Sequence, residues 1–234
     1  MFSKTAQYYD KIYSFKDYEA ETQSLLALLR ENTRIEGGKL LDVACGTGCH
    51  IECLKKHFEV EGLDISEDLL EMARQRNPEV VFHQGDMMDF HLGRQFDVVT
   101  CLFSSIGYVK TADMLGRAIG CMAGHVKPGG ALVIEPWFTP AAWKPGTVHA
   151  LLIDEDELKI ARVNTSYADG PLSYFVLHYL VGTPEGTEHF VERHELGLFT
   201  TEEMKAALEA AELEVVYDPE GPADRGVFLG LVPN

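Results

Sequence analysis

No stretch of this 234-residue chain is long and apolar enough to span a bilayer, and the opening Met1-Phe-Ser-Lys-Thr-Ala-Gln7 lacks a signal-peptide core. The chain therefore reads as a cytoplasmic protein with no membrane partner. Basic clusters are missing as well. Lys and Arg number 20 against 37 Asp and Glu, the net charge is −17, and no basic run exceeds Lys55-Lys56. A nucleic-acid binder needs a cationic surface to displace counterions, so RNA and DNA are excluded as substrates. The five cysteines, at 45, 49, 53, 101 and 121, form no C-x-x-C pair, and no nearby histidine completes a tetrahedral set. They read as small thiols packing a helix on a sheet, with no metal expected. There is no Walker loop, no serine elbow followed by Asp and His, no internal repeat and no low-complexity tract. Chemistry must then reside in a bound cofactor.

What is present starts at Leu40-Leu-Asp-Val-Ala-Cys-Gly-Thr-Gly48. A buried apolar strand runs into a glycine-bearing turn, and an amphipathic helix is expected from Cys49 to His57. Such a turn bends tightly and lets a ligand approach its N–H groups. The helix start aims free amides and partial positive charge at the same spot. A second strand ends in Asp64, about twenty residues after Asp42, with Ile65 beside it. An acidic residue at that place accepts hydrogen bonds from the ribose hydroxyls of an adenosine cofactor. The dinucleotide pattern G-x-G-x-x-G would need glycines at 44, 46 and 49, where the chain has Ala44, Gly46 and Cys49. That weighs against an NAD-dependent dehydrogenase.

Apolar residues make up 46% of the chain, enough for one core, and the length suits one α/β domain over 1–234. Strands are expected at Lys39–Val43, Glu59–Leu63, Val80–His83, Phe96–Cys101 and Ala131–Glu135. Helices capped by Asp17 and Ser66, and one over Thr111–His125, alternate with them. Lys127-Pro-Gly-Gly130 reads as the stop of the last of these helices. The alternation predicts a Rossmann-like, doubly wound, mostly parallel sheet whose functional loops share its carboxyl edge. Residues 148–199 break the rhythm. Turns at Asp154-Glu-Asp156, Ala168-Asp-Gly-Pro171 and Thr183-Pro-Glu-Gly186 separate alternating strands, which predicts an antiparallel β insert. Thr200-Thr-Glu-Glu203 is a capping box opening a further helix to Ala211, and strands are expected at Leu213–Tyr217 and Gly226–Leu231.

Three segments after the Gly turn carry further chemistry. His83-Gln-Gly-Asp-Met-Met88 follows the third strand, Cys101-Leu-Phe-Ser-Ser-Ile-Gly-Tyr-Val109 the fourth, and Glu135-Pro-Trp137 ends the fifth. Small Ser104, Ser105 and Gly107 permit close approach, and Tyr108 offers a hydroxyl. Phe103 and Ile106 suit core packing. Arg162, His178, His194 and Arg225 lie in or after the insert. Taken singly, they read as an ion-pair partner (Arg162) and as solvent-facing strand side chains (His178 and His194).

An acidic residue at the strand end with D-x-x-x-G-x-G spacing resembles motif I of the class I S-adenosylmethionine (SAM) methyltransferases. The remaining motifs sharpen this. Leu40-Leu-Asp-Val-Ala-Cys-Gly-Thr-Gly48, His83-Gln-Gly-Asp-Met87, Asp89-Phe90, Leu92-Gly-Arg94, Phe103-Ser-Ser-Ile-Gly-Tyr108, Glu135-Pro-Trp137 and Arg225-Gly226 are similar to those of the sugar N,N-dimethyltransferases acting on dTDP-aminosugars. The likeness implies SAM as cofactor and a small-molecule acceptor on a dTDP carrier. It implies cofactor contacts from Tyr9, Tyr18, Asp42, Ala44, Cys45, Gly46, Gly48, Asp64, Ile65, Asp86, Met87 and Phe103. It implies substrate contacts from Ser105, Tyr108, Trp137, Arg162, His178 and Arg225, and a homodimer through the insert. The family's Arg-Val-Ser-His-Ser run is here Arg162-Val-Asn-Thr-Ser166, Phe138 follows the tryptophan, and Phe2 stands where a sugar-contacting tyrosine is expected. Methyl transfer to an amine requires its lone pair to be free, and Tyr108 or a water is the expected proton acceptor. Arg162, Arg193 and Arg225 are the expected counter-charges to an anionic substrate. Methylation of another small amine, hydroxyl or carboxylate, and a silent SAM-binding module, are the alternatives.

Overall fold

The computed structural model describes residues 6–221 and 225–234, so the expectation for Phe2 lies outside the described residues. Strands β1 (Lys39–Val43), β2 (Glu59–Asp64), β3 (Val81–Gln84), β4 (Phe96–Cys101) and β5 (Val126–Ile134) run parallel. Strand β11 (Val227–Leu231) pairs antiparallel with β5, and β10 (Glu214–Asp218) antiparallel with β11. The sheet order is β10-β11-β5-β4-β1-β2-β3, the doubly wound, mostly parallel sheet that the alternation predicts. A strand covered on both faces must be apolar throughout, and Leu40, Leu41 and Val43 are all 0% exposed.

Helices α2 (Tyr18–Asn32), α3 (Cys49–Leu54) and α4 (Glu67–Arg76) cover one face, with Leu29, Ile51 and Leu70 against Leu40, Val60 and Val98. Helices α5 (Ala112–Ala123) and α6 (Thr201–Ala210) cover the other, with Leu115, Ile119 and Leu208 against Leu41, Val99 and Leu132. Each such leucine contributes about 1.5–3 kcal/mol through burial. The expected caps are present. Asp17 accepts from the Ala20 N–H at 2.9 Å, Ser66 from Leu69 at 3.5 Å, and Thr200 and Glu203 form a reciprocal capping box.

Two boundaries differ from expectation by more than two residues. Helix α3 stops at Leu54, and Lys55–His57 form turns instead. Lys127-Pro-Gly-Gly130 is not a helix stop but lies inside β5. Phe96 pairs with Val126 and Val98 with Ala131, so residues 127–130 form an irregularity in the strand, with Gly129 at φ +74°. Such bulges pass the ladder on with one strand longer than its partner.

The insert is a four-stranded antiparallel meander: β6 (Val148–Asp154), β7 (Lys159–Asp169), β8 (Leu172–Thr183) and β9 (Gly186–Gly197). Its three turns fall where the sequence places them. Strand alternation sorts its side chains. Arg162, Phe175, Tyr179, Phe190, Glu192, His194 and Leu196 share the inner face through the pairs Arg162↔Tyr179, Tyr179↔Phe190, Phe175↔His194 and Leu177↔Glu192. Ile12, from the short helix α1 (Tyr9–Ile12), packs with Ile160, Leu177, Tyr179 and Phe190 beneath that face.

Candidate functional site

The turn after β1 holds Ala44, Gly46 and Gly48 at φ +57°, +56° and +74°, a backbone region that glycine enters without penalty. A Cβ on Gly46 would meet nothing within 4 Å, so its backbone faces open space. A Cβ on Gly48 would instead lie 2.9 Å from Asn77 and 3.3 Å from Ala73, where α4 packs against the turn. Asp64, 6% exposed, fixes this geometry. One carboxylate oxygen accepts from the Gly46 N–H and the other from the Ser66 N–H, each at 2.8 Å. Burial raises its pKa against those hydrogen bonds.

Asp42, 2% exposed at the end of β1, accepts a 2.8 Å hydrogen bond from the Thr100 hydroxyl. Burial pushes its pKa from 3.8 up to about 6, with the His50 charge and the Thr100 hydroxyl opposing. The folded state therefore binds the proton more tightly than the unfolded chain, and stability falls as pH rises from about 4 to about 6. An Asp42→Asn variant keeps an acceptor for Thr100 and carries no buried charge. It is expected to be more stable than the parent at pH 7, by about 1.4 kcal/mol for every tenfold by which folding tightens the carboxyl's hold on its proton. The gain should vanish toward pH 4. Urea unfolding at the two pH values measures this. An equal difference at both would show that Asp42 is not the titrating group.

Tyr9, Tyr18, Asp42, Ala44, Cys45 and Gly46 line one cavity of about 360 Å³, with Phe103 and Ser105 on its far wall. The Cys49 thiol, Thr47 and His50 also border it. The N-terminal segment is held over it by an ion pair that bridges 66 residues. Arg76 donates to Asp10 at 2.5 Å and to the Thr47 carbonyl at 2.7 Å, while the Thr47 hydroxyl donates to Asp10 at 2.7 Å. Burial raises the Asp10 carboxyl, but these hydrogen bonds outweigh it and the net shift is downward. Lys16, absent from the sequence-based candidates, stands nearby. Its ammonium lies 3.9 Å above the Phe103 ring centre and 2.6 Å from Glu21, which also meets His50 at 2.8 Å. Tyr18 meets the His50 ring edge-on at 4.8 Å. Burial raises the pKa of both Tyr9 and Tyr18.

The remaining cofactor candidates lie past the wall of this cavity, along the ends of β2 and β3. Ile65 is 62% exposed directly after Asp64. Asp86 uses one oxygen to accept from the Met88 N–H at 2.9 Å, and Met87 packs half-buried at the edge of the core.

Above the cavity the β4–α5 loop is locked in place. Phe103 and Ser104 hold φ +51° and +60°. The Phe103 N–H donates to Glu135 at 2.7 Å and the Ser104 hydroxyl to the Pro136 carbonyl at 2.7 Å. Gly107 takes the close approach: a Cβ there would lie 2.9 Å from Leu196 and 3.0 Å from Trp137. Its smallness serves docking of the insert. Tyr108, whose pKa burial raises further than any neighbouring charge does, hydrogen-bonds His194 Nδ1 at 2.8 Å. Trp137 donates to Ser173 at 2.9 Å and lies 6.2 Å from the Phe175 ring, which stacks on His194 at 5.4 Å.

Arg225 donates to Glu135 at 2.6 Å and lies over the Trp137 and Phe138 rings at 6.0 and 5.5 Å. Arg162 shares the inner insert face with Tyr179 and Glu192, and Tyr13 of the N-terminal segment lies against it. Arg225 thus begins a chain of contacts, Arg225–Trp137–Phe175–His194–Glu192, and Arg162 lies on the same inner insert face as its far end. In both arginines, Nε is buried without a hydrogen-bond partner among the described residues.

Three expectations are corrected here. His178 does not face Trp137 or Tyr108. It is exposed on the outer face of β8 and stacks on His189 at 5.7 Å, because it has the opposite parity to Tyr179. Arg193 also lies outward, over the Tyr174 ring and paired with Glu195, and supplies no charge to the cleft. His194, expected to face solvent, is 2% exposed and is the partner of Tyr108. Its signal was present: in Phe190-Val-Glu-Arg-His-Glu-Leu196, residues 190, 192, 194 and 196 share one parity, and both ends are apolar.

A family model described as a methyltransferase domain matches residues 40–130. The dTDP-3-amino-3,4,6-trideoxy-alpha-D-glucopyranose N,N-dimethyltransferase of Streptomyces venezuelae is 44% identical over 230 residues, covering 97% of each chain. The crystal structure of Streptomyces venezuelae DesVI superposes with a TM-score of 0.89 at 42% identity, covering 97% of this chain and 98% of that one. SAM-bound CalS10, an amino pentose methyltransferase from Micromonospora echinaspora, superposes with a TM-score of 0.84 at 37% identity over 92% of each chain.

Proposed function

The chain belongs to the family of dTDP-aminosugar N,N-dimethyltransferases, within the class I SAM-dependent methyltransferases, and we propose from that premise that it N-methylates an amino group of a nucleotide-linked aminosugar. The observation that carries the proposal is a likeness running through the whole chain, the antiparallel insert included, and not through the cofactor half alone. One methyltransferase domain over 1–234, with 148–199 as its insert, is the matching organisation.

The residues present fit the cofactor. Gly46 is bare toward the cavity, Asp64 anchors the turn, and Tyr9, Tyr18, Ala44, Cys45, Phe103 and Ser105 wall the space. In this reading Asp42, Gly48 and the turn hold the methionine end, while Asp64, Ile65, Asp86 and Met87 hold the adenosine. SAM bound there supplies an electrophilic methyl group. The protein's part is to bring a neutral amine against it and keep water out. Well-aligned reactants can save as much as about 7–11 kcal/mol of barrier.

The acceptor would lie between the inner insert face and the sheet's carboxyl edge, touching Tyr108, Trp137 and Ser105. Its phosphates require fixed cations against a net charge of −17. Arg162 and Arg225 fit that need, because each keeps a buried N–H donor with no acceptor among the described residues, and an unpaired buried donor costs about 1–3 kcal/mol until something accepts from it. The outer insert face, with Leu152, Leu180, Val191 and Val163 between 46% and 77% exposed, supports the homodimer. Sedimentation of the purified chain as a monomer would overturn that part. Five free thiols support a reducing, cytoplasmic setting.

The test is transfer from SAM to a panel of dTDP-linked 3-amino and 4-amino sugars, read by mass spectrometry. Gains of one and then two methyl groups are expected. Transfer only to unlinked amines, hydroxyls or carboxylates would overturn the acceptor and leave the cofactor assignment standing.

A further inference from the structure

Resting on the aminosugar reading above, we propose that His194 is a positioning residue that, with Glu192 behind it, gives the acceptor's amine proton a way out through Tyr108. The Tyr108 hydroxyl lies 2.8 Å from His194 Nδ1, and His194 Nε2 lies 3.5 Å from a Glu192 carboxylate oxygen. His194 is 2% exposed and Glu192 9%, and the Phe175 ring stacks on the imidazole. A neutral imidazole with its proton on Nε2, the nitrogen nearer the Glu192 carboxylate, leaves Nδ1 to accept from the phenol. The Tyr108 oxygen then presents only lone pairs to the cleft. That is the polarity an ammonium N–H requires, and a phenol free to rotate would not hold it.

The step balances. An alkylammonium N–H bond breaks toward Tyr108 Oη as the Oη–H bond breaks toward His194 Nδ1. The phenol is regenerated, the imidazole becomes a cation beside the Glu192 carboxylate, and the amine keeps the lone pair that methyl transfer needs. Tyr108 never becomes a free phenolate, which suits a hydroxyl that burial makes hard to ionise. The ionisable groups facing Tyr108 are Tyr9 and Tyr13 from the N-terminal segment, Asp64 from the end of β2, Tyr179 from β8 and Glu192 from β9.

His194→Asn tests this, because its amide oxygen can still accept from Tyr108 but cannot take a proton. We expect kcat at pH 7 to fall about 10²-fold, the lower end for general-base assistance, with KM for the aminosugar and the affinity for SAM unchanged. Raising the pH to 9.5 should recover most of the loss, since more substrate arrives already deprotonated. Glu192→Gln should lose a smaller factor and recover in the same way. Parental kcat in His194→Asn at pH 7, or a loss that persists at pH 9.5, would overturn the proposal. If the parent itself transfers to no aminosugar, the functional reading fails instead, and the two failures are told apart in one experiment.

Discussion

Replacing Glu135 with alanine is expected to destabilise the fold by about 3–5 kcal/mol, the range for removing one partner of a buried ion pair. Glu135 is 1% exposed, and its two oxygens serve different elements. One accepts from Arg225 at 2.6 Å, and the other from the Phe103 N–H at 2.7 Å. Without it the largely buried Arg225 guanidinium has no counter-charge, and the left-handed Phe103-Ser104 turn loses one of its anchors. A non-glycine residue in that region carries about 1–2 kcal/mol of strain that surrounding contacts must hold in place. Urea unfolding reads the effect. The double variant Glu135→Leu with Arg225→Met separates the two roles. It removes both charges, so stability should largely return, while methyl transfer should not, because the loop bearing Phe103 and Ser105 is still unanchored and Arg225 no longer offers a charge to the acceptor. A loss below about 1 kcal/mol in Glu135→Ala would mean that water reaches the pair and that the loop is held by Ser104 and Pro136 alone.

That pair also marks the limit of what the sequence discloses. Glu135 and Arg225 are 90 residues apart, and nothing local links them. The same holds for Asp10 and Arg76. By contrast the cradle was legible, because its chemistry is contiguous: an apolar strand, a glycine turn and an acidic strand end can only meet one way on a parallel sheet. The insert was legible through Asp154, Gly170 and Gly186, whose turns set the strand register. Within that register His178 and His194 are both even-numbered and part only because odd residues such as Tyr179 face inward on β8 while even ones such as Phe190 face inward on β9. Choosing the face from single histidines fails, whereas asking which parity carries Phe190 and Leu196 identifies both Glu192 and His194. Lys127-Pro-Gly-Gly130 failed for the converse reason. Its residues have strong turn preferences, and the pairing of β5 with β4 overrides them as a bulge.

Asp64→Ala is expected to weaken binding of SAM, and of its demethylated product, by about a hundredfold. A carboxylate accepting from an N–H is worth about 1.5–3 kcal/mol, and Asp64 makes two such bonds, to Gly46 and Ser66. The first holds the cradle turn open on the cavity, and the second starts α4. Losing part of each, together with any ribose contact, removes about 3 kcal/mol, and every 1.4 kcal/mol is tenfold in affinity. Asp64→Asn should fall nearly as far, because one of its two acceptors becomes an NH₂ group that faces a backbone N–H. Calorimetric titration measures both variants, with Asp68→Ala, on the exposed first turn of α4, as the control that should bind as the parent does. The parent should itself lose affinity on acidification, and earlier than an ordinary aspartate would, since burial raises the pKa of Asp64 and protonation removes an acceptor. Unchanged affinity in Asp64→Ala would place the cofactor elsewhere than at the ends of β1 and β2, and with it would fall the assignment of Gly46, Ile65, Asp86 and Met87.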